Sequence, residues 1–144
     1  MIVAFCGHRT LHDARAVRAW LEELLPQLIA EGADTFYVGG KGAFDSVAAA
    51  VAMQCKAQHP HIRVTLVQAY INQMRSPDLH DDTLYPPLES VPPRFAIVRR
   101  NEYMLRAADV VVAYVVHNAS NSVRNRDFAR RLGKCVICYP QTAA

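Results

Sequence analysis

Four of the chain's six glycines fall in two short segments, Gly7-His8-Arg9 and Gly39-Gly40-Lys41-Gly42, each directly after an apolar run. Glycines at a strand-to-helix turn let backbone N–H groups approach a phosphate or carboxylate, and the helix beyond adds about half a positive charge. Lys41 supplies a further cation. The second segment lacks the Gly-Lys-Ser/Thr ending of a Walker A loop and the GxGxxG spacing of a dinucleotide fold, so it reads equally well as a plain tight turn. Arg9 carries a planar fork that grips a phosphate or carboxylate through two hydrogen bonds. Asp45 lies in the first turn of the following helix, where it either caps that helix or accepts hydrogen bonds from sugar hydroxyls. A third turn, residues 117–122, brings Ser120, Asn121 and Ser122 to the start of another helical pattern. Arg100 and Asn101 add a guanidinium and an amide, with solvated surface as the default expectation for Arg99 and Arg100.

Other chemistries find less support. Cys135-Val-Ile-Cys138 has zinc-like spacing, but inside a strand positions three apart face opposite sides, and no second Cys/His pair accompanies it. No metal site is expected. The histidines are scattered and form no Ser-His-Asp pattern. Asp78, Asp81 and Asp82 read as a solvated acidic loop. Cys6, Cys55, Cys135 and Cys138 read as free, buried thiols in a reducing compartment.

The elements that must position these groups alternate. Residues 1–6, 35–38, 62–67, 109–116 and 134–139 are apolar runs of strand length. Between them, Val17, Leu21, Leu24, Leu25 and Leu28 recur at helical spacing, capped by Asp13 and closed by Gly32, with Pro26 expected to kink or split the helix. Further helices are expected over residues 44–58, 100–107 and 122–132. Residues 95–98 either pair at an edge or lead into the third helix. Residues 68–93 hold Pro77, Pro86, Pro87, Pro92 and Pro93 and read as an irregular insertion, the usual form of a functional loop. The expected architecture is a single α/β domain over residues 1–144. It has a doubly wound, mainly parallel sheet of about five strands with helices on both faces, Rossmann-like in kind.

Sixteen basic residues against thirteen acidic ones leave a net charge of +3, and 51% of residues are hydrophobic. That balance excludes intrinsic disorder. Six glycines and eight prolines exclude a collagen-like chain. No stretch is long and apolar enough to cross a bilayer, and the opening residues read as a strand rather than a signal peptide. A charge of +3 does not by itself imply a nucleic-acid partner.

Four groups of residues carry a resemblance. They are Cys6-Gly7-His8-Arg9 after the first strand; Gly32-Ala33-Asp34-Thr35-Phe36-Tyr37-Val38-Gly39-Gly40 with Gly42, Phe44 and Asp45; Arg100-Asn101 with Tyr103-Met104 and Ala108-Asp109; and Ala129 with Gly133-Lys134 before the last strand. Together they resemble the YpsA-like branch of the SLOG superfamily, Rossmann-like proteins related to the DNA-processing protein DprA and the LOG phosphoribohydrolases. One departure stands out. Where family members usually carry a Gly-Gly-Thr phosphate turn, this chain has Ser120-Asn121-Ser122; Ser122 offers the hydroxyl, but the backbone without glycine approaches a phosphate less freely. The LOG motif PGGxGTxxE is also missing, so phosphoribohydrolase activity does not transfer.

The resemblance and the residues imply a binder of a nucleotide or nucleotide-derived phosphorylated small molecule at the carboxyl ends of the strands. Gly39, Gly40 and the next helix would hold the phosphate, Arg9 and Arg100 would balance its charge, and Asp45 would orient the sugar. One alternative is a hydrolase of an N-glycosidic or phosphate bond using Asp45 or His8. Another, placed last because only 8% of residues are aromatic, is DprA-like handling of single-stranded DNA. The expected partner is thus a nucleotide-like small molecule, with neither nucleic acid nor membrane expected. Family members often dimerise, which makes a homodimer one of the implied assemblies. A cytoplasmic location is expected. The sequence assigns no cofactor and leaves catalytic turnover open.

Overall fold

A computed structural model describes residues 1–73, 78–118 and 120–140. Pro77 of the irregular stretch and Ala119 of the third turn lie outside them. Six strands, β1 (Ile2–Gly7), β2 (Thr35–Val38), β3 (Arg63–Val67), β4 (Asp82–Leu84), β5 (Val110–Tyr114) and β6 (Cys135–Cys138), form one sheet in the order β4-β3-β2-β1-β5-β6. Every adjacent pair is parallel. The helices are α1 (Ala14–Ala30), α2 (Ala43–Cys55), α3 (Ala96–Ala107) and α4 (Asn121–Arg131). The α/β Rossmann-like architecture is the expected one, with six strands in place of about five.

Successive strand residues face opposite sides, and here both sides are covered. Val3, Phe5, Phe36, Val38 and Leu66 pack in a cluster with Leu21, Leu25 and Val51 of α1 and α2. Their neighbours Ala4, Cys6, Val67, Val111 and Ala113 pack in a second cluster with Met104 and Leu105 of α3 and Ala129 of α4. Two apolar faces erase the period-2 signal, which is why the strands read as unbroken apolar runs. Each such aliphatic side chain removed from water contributes about 1.5–3 kcal/mol.

Asp13 caps α1, its Oδ1 accepting from the Ala16 amide at 3.1 Å, and Gly32 takes a φ of +115° just past the helix end. Pro26 does not split α1. Its missing N–H leaves one carbonyl without an intrahelical donor, but buried Leu21, Leu25, Leu28 and Ile29 hold both halves against the sheet. Residues 95–98 form no edge strand; a 3-10 turn (Pro93–Phe95) leads directly into α3.

The irregular stretch contains a strand that apolar patterning misses. β4 extends the sheet beyond β3, fastened mainly by polar contacts. Thr65 Oγ1 donates to Asp82 Oδ1 at 2.6 Å, Arg63 pairs with Asp82 at 2.8 Å, and Asp81 accepts from the Val64 amide and from Lys56 Nζ, each at 2.8 Å. Asp81 and Asp82 are therefore fasteners rather than a solvated loop. The thiols also differ from expectation: Cys6 is buried and Cys55 and Cys138 partly so, but Cys135 is exposed because it opens the edge strand β6. No helix among the described residues is long and apolar enough to cross a membrane.

Candidate functional site

The chain steps from β1 out to β4, then returns to place β5 on β1's other side. Connections leaving on opposite sides open a crevice beyond the carboxyl ends of β1 and β5. A cavity of about 880 Å³ lies there, walled by the β1 end, the β5–α4 turn, the first turns of α2 and α4, and one face of α3. Gly7, His8, Arg9, Lys41, Asp45, Arg100, Asn101, Ser120, Asn121 and Ser122 all line it. Gly39, Gly40 and Gly42 do not.

Those three glycines serve the chain's own packing. Gly42 has a φ of +93°, and a Cβ there would sit 2.9 Å from the Arg9 Cα. That close approach lets the Ala43 amide donate to the Arg9 carbonyl at 2.8 Å. The Lys41 amide donates to Asp45 Oδ2 at 3.3 Å. The Gly39 carbonyl accepts from Arg100 Nη1 at 2.6 Å and Gln73 Nε2 at 3.1 Å. In the β2–α2 turn, expected to cradle a phosphate, the Lys41 and Ala43 amides and the Gly39 carbonyl are thus engaged by the protein's own groups.

Arg100 corrects a second expectation. It is 2% exposed rather than solvated, whereas Arg99 on the outer face is exposed. Arg100 Nη1 donates to both the Gly39 and Val67 carbonyls, so one guanidinium ties the ends of β2 and β3 together. Burial lowers its proton affinity, and the nearby Asp45 charge opposes that loss. Arg100 Nε donates to Asn101 Oδ1 at 2.9 Å, which leaves the Asn101 amide hydrogens to point elsewhere. Asp45 lies in the first turn of α2, and its side chain binds the amide just before that helix, close to the capping role. Burial pushes its carboxyl up to about 6, with Arg100 and then the Lys41 amide pulling the other way.

His8 is 4% exposed, with the His117 ring stacked at 3.8 Å and the Tyr114 ring edge-on at 5.6 Å. The Val116 amide donates to Nε2 at 2.9 Å, while Nδ1 lies 2.9 Å from Ser120 Oγ. A backbone N–H can only donate, so Nε2 holds the lone pair and the neutral ring's proton sits on Nδ1. Desolvation, then His117 and His12, lower its pKa and favour this neutral form. Ser120 is the N-cap residue of α4, yet its side chain makes no capping bond. Cys6 also lines the cavity, but burial, aided by Asp45, pushes its thiol up to about 12, so it stays protonated.

Sequence reasoning missed part of the wall. Ile97 and Met104 join Arg100 and Asn101 on one face of α3, a spacing of 0, 3, 4 and 7 that was legible once the helix start was known. Thr10, His117, Asn118, Arg124 and Asn125 complete the polar rim. Arg124 and Asn125 sit in the first turns of α4, where proximity to a helix N-terminus was the available signal.

Proteins of known structure share this fold. DNA processing protein A (DprA) from Helicobacter pylori, described for its single-stranded DNA binding mode, is similar with a TM-score of 0.70 and 18% identity over 99% of this chain and 66% of that one. DprA from Streptococcus pneumoniae is similar with a TM-score of 0.70 and 19% identity over 97% of this chain and 50% of that one. The likeness is one of fold: a parallel Rossmann-like α/β sheet. The Moco carrier protein of Chlamydomonas reinhardtii has a similar fold, with a TM-score of 0.59 and 18% identity over 95% of this chain and 74% of that one. The chain spans between half and about two-thirds of the length of the DprA proteins it matches. No family model and no curated protein matches the sequence.

Proposed function

We propose that this chain binds a nucleotide or a nucleotide-derived phosphorylated small molecule in the β1–β5 crevice, with its kinship in the YpsA-like branch of the SLOG proteins. The observation that carries the reading is a single cavity into which Arg9, Lys41, Arg124 and the uncapped first turn of α4 converge. Amides at a helix N-terminus and fixed cations together favour an anion. The phosphate seat therefore moves from the β2–α2 turn to Ser120-Asn121-Ser122, with Arg9 lining the same cavity. Asp45 accepts from a sugar hydroxyl, and the base lies along the Ile97–Met104 stripe within reach of the Asn101 amide.

The His8 geometry favours binding over hydrolysis. Its Nε2 lone pair is engaged by the Val116 amide and its Nδ1 carries a proton, so the ring has no lone pair left to activate Ser120. The unit proposed is the single domain of residues 1–144, acting in the cytoplasm.

A second reading has its own observation. α4 carries Arg124, Arg126, Arg130 and Arg131 against Asp127 alone, so this one helix holds a charge equal to the whole chain's +3. Concentrated there, beside the cavity mouth, the charge suits an oligonucleotide. The likeness to DprA likewise weighs against leaving nucleic acid out.

The test is an amide-resolved NMR titration with the four ribonucleoside monophosphates, the matching nucleosides and inorganic phosphate. The expected result is saturable shifts at Arg9 and Ser120–Ser122 with phosphorylated ligands, no release of free base, and at least about a tenfold loss of affinity in Arg9→Ala. Absence of any shift at those residues with every ligand overturns the reading.

A further inference from the structure

His8 is nearly sealed from solvent, yet its ring connects Val116, just past β5, to Ser120, the N-cap of α4. We propose that His8 is a positioning residue that makes Ser120 a hydrogen-bond donor to the ligand; this rests on the nucleotide reading above.

The argument is one of proton placement. The Val116 amide fixes Nε2 as an acceptor at 2.9 Å, so Nδ1–H donates to Ser120 Oγ at 2.9 Å. Ser120 then accepts from the ring, and its own hydrogen turns away from His8. In the opposite tautomer Ser120 would spend that hydrogen on Nδ1 and offer the ligand only lone pairs, which repel an anionic oxygen. Ser120 also makes no capping bond to α4, so the hydroxyl is not consumed by the helix it begins. His117 stacked at 3.8 Å and Tyr114 edge-on at 5.6 Å hold the ring in its plane. The groups that bear on its charge are His117 from the β5–α4 turn, His12 ahead of α1, and Tyr114 of β5, whose hydroxyl lies 3.5 Å from the His12 amide. With Asn101 turned by Arg100 to present its amide, the site becomes rich in donors. It selects the unprotonated oxygens of a phosphate over ligand groups that themselves donate.

The experiment has two independent readouts on the full chain. Long-range proton–nitrogen NMR of the ligand-free protein reports which ring nitrogen of His8 carries hydrogen, and Nδ1 is the expected one. Calorimetry with a nucleoside monophosphate then compares the wild type, Ser120→Ala, His8→Ala, the double variant and His8→Asn, whose amide reproduces a donor near the Nδ1 position. Ser120→Ala and His8→Ala are each expected to weaken binding about tenfold, with the double variant no worse than either and His8→Asn recovering most of the loss. A proton on Nε2, or additive losses in the double variant, overturns the role of His8 while leaving nucleotide binding intact. Absence of binding by the wild type overturns the nucleotide reading and Ser120's ligand contact with it, whichever tautomer is found.

Discussion

Asp45 places a carboxyl in a cavity otherwise edged by cations, and its raised pKa works against the fold at neutral pH. In the folded protein it titrates near 6, against 3.8 ordinarily. The native state therefore holds this proton more tightly than the unfolded chain does. The associated stability is full below about pH 4 and lost as pH rises through about 6. Asp81, lowered by Lys56, the Val64 amide and Arg63 despite the opposing cost of its burial, acts in the reverse sense, adding stability above 3.8 that vanishes in acid. Denaturant titrations at intervals from pH 4 to 7 should show the wild type losing up to about 3 kcal/mol relative to Asp45→Asn across that window. Parallel curves for the two proteins would show that the carboxyl titrates normally. At this same scale the sequence was informative about which residues gather and silent about how. Arg9, Lys41, Asp45 and Ser120–Ser122 were legible as crevice residues because each follows a strand. The burial of Arg100 was not, because it depends on the Gly39 and Val67 carbonyls that only the folded sheet brings within its reach.

The helices and strands show where local sequence suffices. Asp13 and Gly32 bound α1 as their chemistry dictates, and replacing Asp13 by alanine should cost about 1 kcal/mol, read as a lowered denaturation midpoint with unchanged denaturant slope. An unchanged midpoint would mean that packing alone defines that helix start. β1, β2, β3, β5 and β6 were readable as apolar runs because both faces of the sheet are covered. β4 was invisible because Asp82-Thr83-Leu84 has no apolar pattern and is joined to β3 through carboxylates that sequence periodicity does not weigh. Pro26 misled for a related reason: its local penalty is real, but burial on both sides of it outweighs the loss of one backbone hydrogen bond.

At the level of the whole molecule, the modest net charge conceals an uneven distribution. The four arginines of α4 crowd one helix, with Arg126 and Arg130 both beside Asp127. The two functional readings therefore separate in their response to salt. A mononucleotide held at Ser120–Ser122 should be little affected by Arg130→Ala with Arg131→Ala, because neither residue lines the cavity. A single-stranded oligonucleotide held by the α4 arginines should lose affinity in that double variant. Its log affinity should also fall with log salt at about 0.7 per phosphate contacted. An oligonucleotide affinity indifferent to both would remove the second reading.

The two borders of the sheet bear on how copies of the chain behave when crowded. β4 is three residues long and β6 four, and β4 opens beside the Arg63–Asp82 and Lys56–Asp81 ion pairs. An incoming segment would find too few free backbone groups to register against, and charged side chains beside them. Fibrillar growth by strand addition is given no landing place on the β4 side, so the protein's own margin guards it against self-templated aggregation.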